Sequence, residues 1–176
     1  MTDTITPTRA QHETRPPFQP SETFAGHLQQ LHVDLIDLHL QGKQAHWNVV
    51  GKNFRDLHLQ LDEVVDAARG FSDTVAERMR ALYIAPDGRA ATVAQQSSLA
   101  GFPAEEVDTA ETVDLITAAL YATTGTARRI HDDVDAEDPT TADILHTVIE
   151  RLEQLAWMVD AENRVAGRSI PRPTTP

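Results

Sequence analysis

Residues 46–64, HWNVVGKNFRDLHLQLDEV, are the stretch that decides how this chain folds. The Gly51–Asn53 turn separates two runs of apolar residues, and such a tripeptide favours a reversal between two helices. His46 lies just before the turn, and His58 and Asp62 lie one helical turn apart just after it. Because the turn lies midway between the two histidines, a hairpin here brings His46 close to His58.

Apolar residues on both sides of this turn predict two amphipathic helices. Helix one has its N-cap at Ser21 and ends near Val50. Helix two begins at Asn53 or Phe54 and runs to about Tyr83. The predicted core positions are residues 24, 28, 31, 35, 38, 42 and 45 in helix one, and 57, 61, 64, 68, 71, 75 and 82 in helix two.

The next part of the chain predicts a long connection and a third helix. Pro86-Asp87-Gly88 breaks helix two, and we expect a short helical turn within residues 92–101 of the connection 84–107. The third helix fits Asp108 to about Asp135. Its predicted core positions are residues 113, 116, 120, 127, 130 and 134.

Asp138 and Pro139 fit the N-cap and first residue of a fourth helix, which Gly167 and Pro171 are expected to end. Its core positions are residues 145, 148, 152, 155 and 159. Four amphipathic helices with one long crossover predict an all-α, ferritin-like four-helix bundle. The expected organisation is a flexible tail over residues 1–20, the bundle over 21–166 and a second tail over 167–176.

The composition excludes several classes of protein. The 176-residue chain has no cysteine, which excludes disulfides, thiolate metal sites and cysteine nucleophiles. Its formal net charge of −12 repels a nucleic-acid backbone overall but can concentrate small cations. It lacks a signal-peptide core and any run of roughly 18 apolar residues, so we expect a cytoplasmic protein.

Four potential metal ligands share one stripe of helix two. At about 100° per residue, with His58 as zero, Asp62 falls near 40°, Asp73 near 60° and Glu77 near 100°. The core row of the same helix centres near −100°. The stripe therefore points largely away from the core of its own subunit.

One chain is expected to hold two half-sites rather than a whole site. Asp62 and Asp73 are eleven residues apart, roughly 16 Å along a helix, which one metal ion cannot bridge. If helix two packs antiparallel against its copy, His58 faces Glu77 of the partner subunit and Asp62 faces Asp73 of the partner subunit. Such an isologous dimer carries two identical metal sites.

The same register sets other features of the predicted dimer. The two-fold axis passes helix two near residues 67 and 68, and Asp66 and Arg69 form symmetric inter-subunit salt bridges beside it. Imidazoles with carboxylates and no sulfur suit Fe(II), Mn(II) or Zn(II). The alternative is that these side chains only solvate an exposed helix face.

The run KQAHWNVVGKNF with the later His, Asp, Asp and Glu resembles the Dps family of ferritin-like mini-ferritins. The matching ligand positions are His46, His58, Asp62, Asp73 and Glu77, and Ala76-Glu77-Arg78 matches the family's Ala-Glu-Arg. The resemblance covers about residues 21–166. It implies a hollow dodecamer that oxidises Fe(II) at inter-subunit sites, preferentially with hydrogen peroxide, stores ferric mineral and so protects DNA from oxidative damage.

The resemblance also suggests roles for three further residues. Family members use a tryptophan beside the first histidine to trap stray oxidising equivalents, which points to Trp47; the alternative is a packed indole. Asp138 and Asp143 resemble the family's acidic three-fold pore for iron uptake; the alternative is a solvated helix corner. We expect Trp157 to lie in the core, and His27, His32 and His39 to be structural.

Two other functions remain open from the sequence. The first is a mainly nucleoid-structuring DNA binder with secondary iron binding. The N-terminal tail is neutral, however, and only Arg164, Arg168 and Arg172 near the C-terminus leave weak, salt-sensitive DNA binding open. The second is a zinc hydrolase or transferase, which requires a third histidine close to His46 and His58 in the same chain.

Overall fold

The computed structural model describes residues 18–167 and contains five α-helices and two very short strands within that range. The predicted tails over residues 1–20 and 167–176 lie mostly outside the described residues. The elements are α1 (Glu22–Asn48), β1 (Val49–Val50), α2 (Phe54–Ala81), α3 (Ala90–Gln96), β2 (Val107–Asp108), α4 (Thr109–Glu137) and α5 (Pro139–Asp160), followed by a 3-10 turn at Ala161–Asn163.

Two helical hairpins pack together to form the bundle. The first hairpin is α1 with α2 and the second is α4 with α5, while α1 also packs on α4 and α2 on α5. The crossover between the hairpins carries α3, which packs against α1. This architecture confirms the all-α four-helix bundle with a short crossover helix. No helix between residues 18 and 167 has the length and apolar character needed to cross a membrane.

The predicted core rows are confirmed. The apolar positions assigned to all four long helices are buried, except for Phe71, which is partly buried against the core. The short crossover helix occupies residues Ala90–Gln96, slightly before the predicted 92–101. Helix periodicity was sufficient to predict the buried residues because each helix buries one continuous apolar face.

A short parallel β-pair at the α1–α2 turn was not predicted. Val49 pairs with Val107 and Val50 with Asp108, so α1 ends at Asn48 and the end of the crossover is held beside the turn. Gly51 has a φ of 121°, and a Cβ there would lie 3.3 Å from the Thr109 hydroxyl. The turn therefore needs glycine both for its backbone conformation and for its close approach to α4.

Two expectations about the second hairpin were wrong, whereas the positions of Asp138 and Pro139 at the start of α5 were confirmed. Trp157 is 60% exposed, because it lies outside the buried row of α5. Helix α5 ends at Asp160 rather than at Gly167, and Pro171 lies outside the described residues. Asp138 stands at the N-cap position of α5, but its side chain makes no capping hydrogen bond there. Its carboxylate is engaged elsewhere, as described below.

A buried aspartate joins α1, the crossover and α4. Asp34 is fully buried and accepts four hydrogen bonds, two of them from Ser98 (backbone N, 2.9 Å; Oγ, 2.8 Å). The others come from Gln30 Nε2 at 2.9 Å and Thr126 Oγ1 at 2.8 Å. A buried carboxylate is tolerated only where donors replace its lost water, and here the donors come from three parts of the fold.

Asp34→Ala should therefore destabilise the protein strongly. Removing the carboxylate leaves buried donors unpaired, and we expect a loss of roughly 2–4 kcal/mol in the free energy of unfolding. Thermal unfolding followed by circular dichroism measures the effect. Asp135→Ala, on the exposed face of α4, is the control and should change stability by less than about 0.5 kcal/mol. Equal melting temperatures for the two variants would show that the hydrogen bonds of Asp34 do not stabilise the fold.

Candidate metal centre

The α1–α2 turn brings two imidazoles into direct contact. His46 lies in the last turn of α1 and His58 near the start of α2. Their rings stack with centroids 3.7 Å apart and planes 25° apart. His46 Nδ1 lies 3.0 Å from the His58 carbonyl oxygen, and His58 Nδ1 lies 2.9 Å from the His46 carbonyl oxygen.

These reciprocal hydrogen bonds determine which nitrogen of each ring is protonated. A carbonyl oxygen can only accept, so each Nδ1 must donate its N–H. Both Nε2 atoms of the neutral rings then carry lone pairs. Metal-binding histidines are commonly oriented in this way, with the second ring nitrogen held by a carbonyl or carboxylate. The pair formed by His46 and His58 is therefore prepared to bind a cation through Nε2.

Asp62 adds a carboxylate to this pair, but a lysine already contacts it. Asp62 Oδ1 lies 3.2 Å from His46 Nδ1 and 2.7 Å from Lys43 Nζ. The hydrogen bond from Lys43 holds the pKa of Asp62 below its usual range. Sequence reasoning missed Lys43, although its position three residues before His46 places both side chains on one face of α1.

Asp73 and Glu77 are exposed further along α2 and are not brought to the histidines within one chain. Between residues 18 and 167, no three histidine or acidic side chains are arranged to hold a metal ion. One chain therefore brings His46, His58 and Asp62 near one another without a complete metal site, and it leaves Asp73 and Glu77 separate. The hypothesis of a zinc hydrolase or transferase needs a third histidine beside His46 and His58. The described part of the chain gives no support for such a site.

Trp47 follows His46 directly and is 68% exposed in the single chain. Its indole is therefore not packed in the core of its own subunit. Val50, Phe54 and Leu59 are also exposed large apolar residues near the same turn. All four therefore present apolar side chains to solvent on the single chain.

The two candidate pore residues have different surroundings. Asp138 is mostly buried, and its carboxylate accepts hydrogen bonds of 2.5 Å from both Arg78 and Thr141. Burial alone raises the pKa of Asp138, but the hydrogen bonds from Thr141 and Arg78 outweigh this effect, so its pKa lies below the ordinary value. Asp143 is 85% exposed, with His146 Nδ1 3.7 Å from its Oδ1.

The other histidines of α1 have contacts with the protein itself. His32 is buried, and its Nδ1 lies 3.0 Å from the Ser72 carbonyl oxygen. Burial lowers the pKa of His32 despite that hydrogen bond. Burial also lowers the pKa of His39, and the positive charges of Arg69 and Lys43 act in the same direction. His27 Nε2 lies 3.2 Å from Asp133.

The fold agrees with a family comparison. Residues 25–165, most of the chain, match the family described as a ferritin-like domain. The protein is therefore a ferritin-like protein, as its helix order predicted.

Individual relatives narrow this class. The chain is 38% identical over 137 residues to DNA protection during starvation protein 2 of Deinococcus radiodurans, covering 76% of this chain but only 56% of that protein. It is 31% identical over 146 residues to the DNA protection during starvation protein of Agrobacterium fabrum, covering 82% and 90%. Its fold is similar to that of Mycobacterium smegmatis Dps, with a TM-score of 0.82 at 26% identity, covering 92% and 93%. The chain belongs to the DNA protection during starvation (Dps) family.

The contact between Lys43 and Asp62 makes a prediction about cation affinity. A cation held by the histidines and Asp62 must compete with the ammonium group, so Lys43→Met should bind Zn(II) about tenfold more tightly. Competition with a chromophoric chelator measures this affinity. Lys52→Met is the matched control, because Lys52 is the only other lysine and is exposed in the turn. If the two variants have the same affinity, Lys43 does not compete at this site.

Proposed function

We propose that this protein is a ferroxidase and iron store. It oxidises Fe(II), preferentially with hydrogen peroxide, and holds the ferric product as mineral inside a hollow homo-oligomer, which protects DNA from oxidative damage. The observation that carries the proposal is the pair His46 and His58, with both Nδ1 protons held by carbonyls and both Nε2 atoms available. Membership of the Dps family supports it.

The donor set suits Fe(II) as a substrate. Imidazole nitrogens bind the ferrous ion, and carboxylates stabilise the ferric product because they are hard, anionic oxygen ligands. Hydrogen peroxide accepts two electrons from two Fe(II) and, with two protons, leaves as two water molecules. This stoichiometry consumes peroxide and Fe(II) without forming the hydroxyl radical. Trp47, exposed beside His46, is the proposed trap for stray oxidising equivalents.

We propose that each complete site is shared between two subunits. His46, His58 and Asp62 come from one chain, and Asp73 and Glu77 of the partner subunit complete the site. The separation of the two groups along α2, roughly 16 Å, supports this arrangement. The same antiparallel register places Asp66 opposite Arg69 of the partner subunit beside the two-fold axis.

Exposed apolar residues near the α1–α2 turn support oligomerisation. Trp47, Val50, Phe54 and Leu59 are large apolar side chains exposed on the single chain, and burying them between subunits favours association. Closed symmetric assembly buries such surfaces, and the proposed oligomer is a dodecamer built from two-fold dimers.

DNA binding remains only a secondary possibility in this proposal. The net charge of −12 opposes association with a phosphate backbone. The neutral N-terminal tail, together with Arg168 and Arg172, lies outside the described residues. We therefore propose no more than weak, salt-sensitive binding of DNA by the tails. Nucleoid association would follow from such binding.

A mixing experiment tests the shared site. One variant loses His46, His58 and Asp62 to alanine, a second loses Asp73 and Glu77, and neither should oxidise Fe(II) quickly alone. After refolding together in equal amounts, half the dimers are mixed and each has one intact site, so about a quarter of wild-type activity should return. Ferric absorbance after anaerobic Fe(II) loading and addition of peroxide measures the rate.

Each variant refolded with more of itself is the control, and native mass spectrometry counts mixed assemblies. If mixed assemblies form but stay as inactive as the parents, the site is not shared in this way. Replacing peroxide with oxygen in the same assay tests the proposed preference for oxidant.

The proposed iron uptake path makes a separate prediction. Asp143→Asn should slow Fe(II) uptake by about twofold or more at low salt and less at high salt, because exposed charges attract cations over distances that salt screens. Asp138→Asn also disturbs the contact with Arg78, so it is the less specific variant. Glu105→Gln, on the exposed crossover, is the charge-matched control. Stopped-flow uptake rates equal to the control would return Asp143 to the role of a solvated helix residue.

A further inference from the structure

A second pair of histidines lies on the other hairpin, away from His46 and His58. His131 of α4 and His146 of α5 have their Nε2 atoms 2.7 Å apart. Their ring centroids are 4.6 Å apart and the planes are tilted by 32°. The proposed ferroxidase function uses neither residue, so the contact requires its own explanation.

The carboxylates around this pair influence where the protons lie. His131 Nδ1 is 2.9 Å from Asp132 Oδ1, and His146 Nδ1 is 3.7 Å from Asp143 Oδ1. Asp132 accepts a hydrogen bond from His131 Nδ1, whereas Asp143 is too far from His146 Nδ1 for a hydrogen bond and favours a proton there only through its negative charge. Two neutral rings of this tautomer direct the lone pairs of both Nε2 atoms at each other. That arrangement is repulsive unless a proton or a metal cation lies between them.

The neutral pair has two alternative arrangements without a cation, because either ring can carry its proton on Nε2 and donate it to the other. In both arrangements the Nδ1 lone pair of the donating ring then faces a carboxylate, that of Asp132 for His131 or that of Asp143 for His146. A metal ion between the Nε2 atoms removes this conflict, because both Nδ1 atoms keep protons that face the carboxylates. This is the usual carboxylate–histidine–metal arrangement.

A carboxylate lines the same cleft. Glu150 follows His146 by one helical turn and lines an open cleft of about 470 Å³ with both histidines. The positive charge nearest the cleft is already engaged, since Arg128 Nη2 lies 2.6 Å from Glu153 Oε1. The cleft therefore offers room for water ligands and a carboxylate without a competing cation.

We propose that His131 and His146 bind a divalent first-row transition cation at the α4–α5 edge, with water as the remaining ligands. For a tetrahedral ion with bonds near 2.1 Å, the two Nε2 atoms must separate to about 3.4 Å, which a small rotation of the exposed His146 ring provides. Imidazole ligands favour Zn(II) or Fe(II) over Mg(II). This site does not depend on the proposed ferroxidase function.

Zinc binding to the assembled, metal-free protein tests the site. With excess Mg(II) present, equilibrium dialysis against Zn(II) should show one fewer bound ion per chain in His131→Gln and in His146→Gln than in wild type. Any zinc held at the α1–α2 turn contributes equally to all three proteins. The difference therefore reports only on the α4–α5 edge.

His27→Gln is the matched control, since His27 also contacts a carboxylate but has no second imidazole beside it. It should bind as much Zn(II) as wild type. Equal stoichiometry in wild type, His131→Gln and His146→Gln would overturn the proposal, as would an equal loss in His27→Gln. Anomalous scattering from a zinc-soaked crystal should place the ion between the two Nε2 atoms, and an ion elsewhere on this edge would also overturn it.

Discussion

The reciprocal hydrogen bonds between His46 and His58 are the constraint on which the candidate site depends. Each ring donates its Nδ1 proton to the backbone carbonyl of the other residue, so the hairpin and the two tautomers support each other. A change in the Gly51 turn would shift both carbonyls and release both rings. The backbone of the fold thus sets the chemistry of the imidazoles, because the acceptors are main-chain atoms rather than mobile side chains.

Charge in this acidic protein is balanced locally. Lys43 neutralises Asp62, and Arg78 with Thr141 binds Asp138. Asp34 has no cation and relies on four neutral donors instead. These arrangements separate acids that hold the structure together from acids that remain available to cations. Asp73, Glu77 and Asp143 belong to the second group because they are exposed.

The two histidine pairs differ in the groups that contact their Nδ1 atoms. At the first hairpin, carbonyl oxygens hold both Nδ1 protons. At the second, Asp132 and Asp143 face the Nδ1 atoms and the Nε2 atoms of His131 and His146 meet directly. Asp62 Oδ1 also lies 3.2 Å from His46 Nδ1, so a carboxylate stands beside both pairs and adds negative charge that favours a cation.

The sequence by itself determined the four helices, their buried rows, the long crossover and the proximity of His46 to His58. These follow from helical periodicity and one turn, which are local properties. Only the tertiary structure decided the partners of Asp34, Asp138 and Lys43, the β-pair of Val49 with Val107, the exposure of Trp157 and the meeting of His131 with His146. Each of these features depends on how segments that are distant in the sequence pack against one another. The periodicity of one helix does not show which side chain of another segment will contact it.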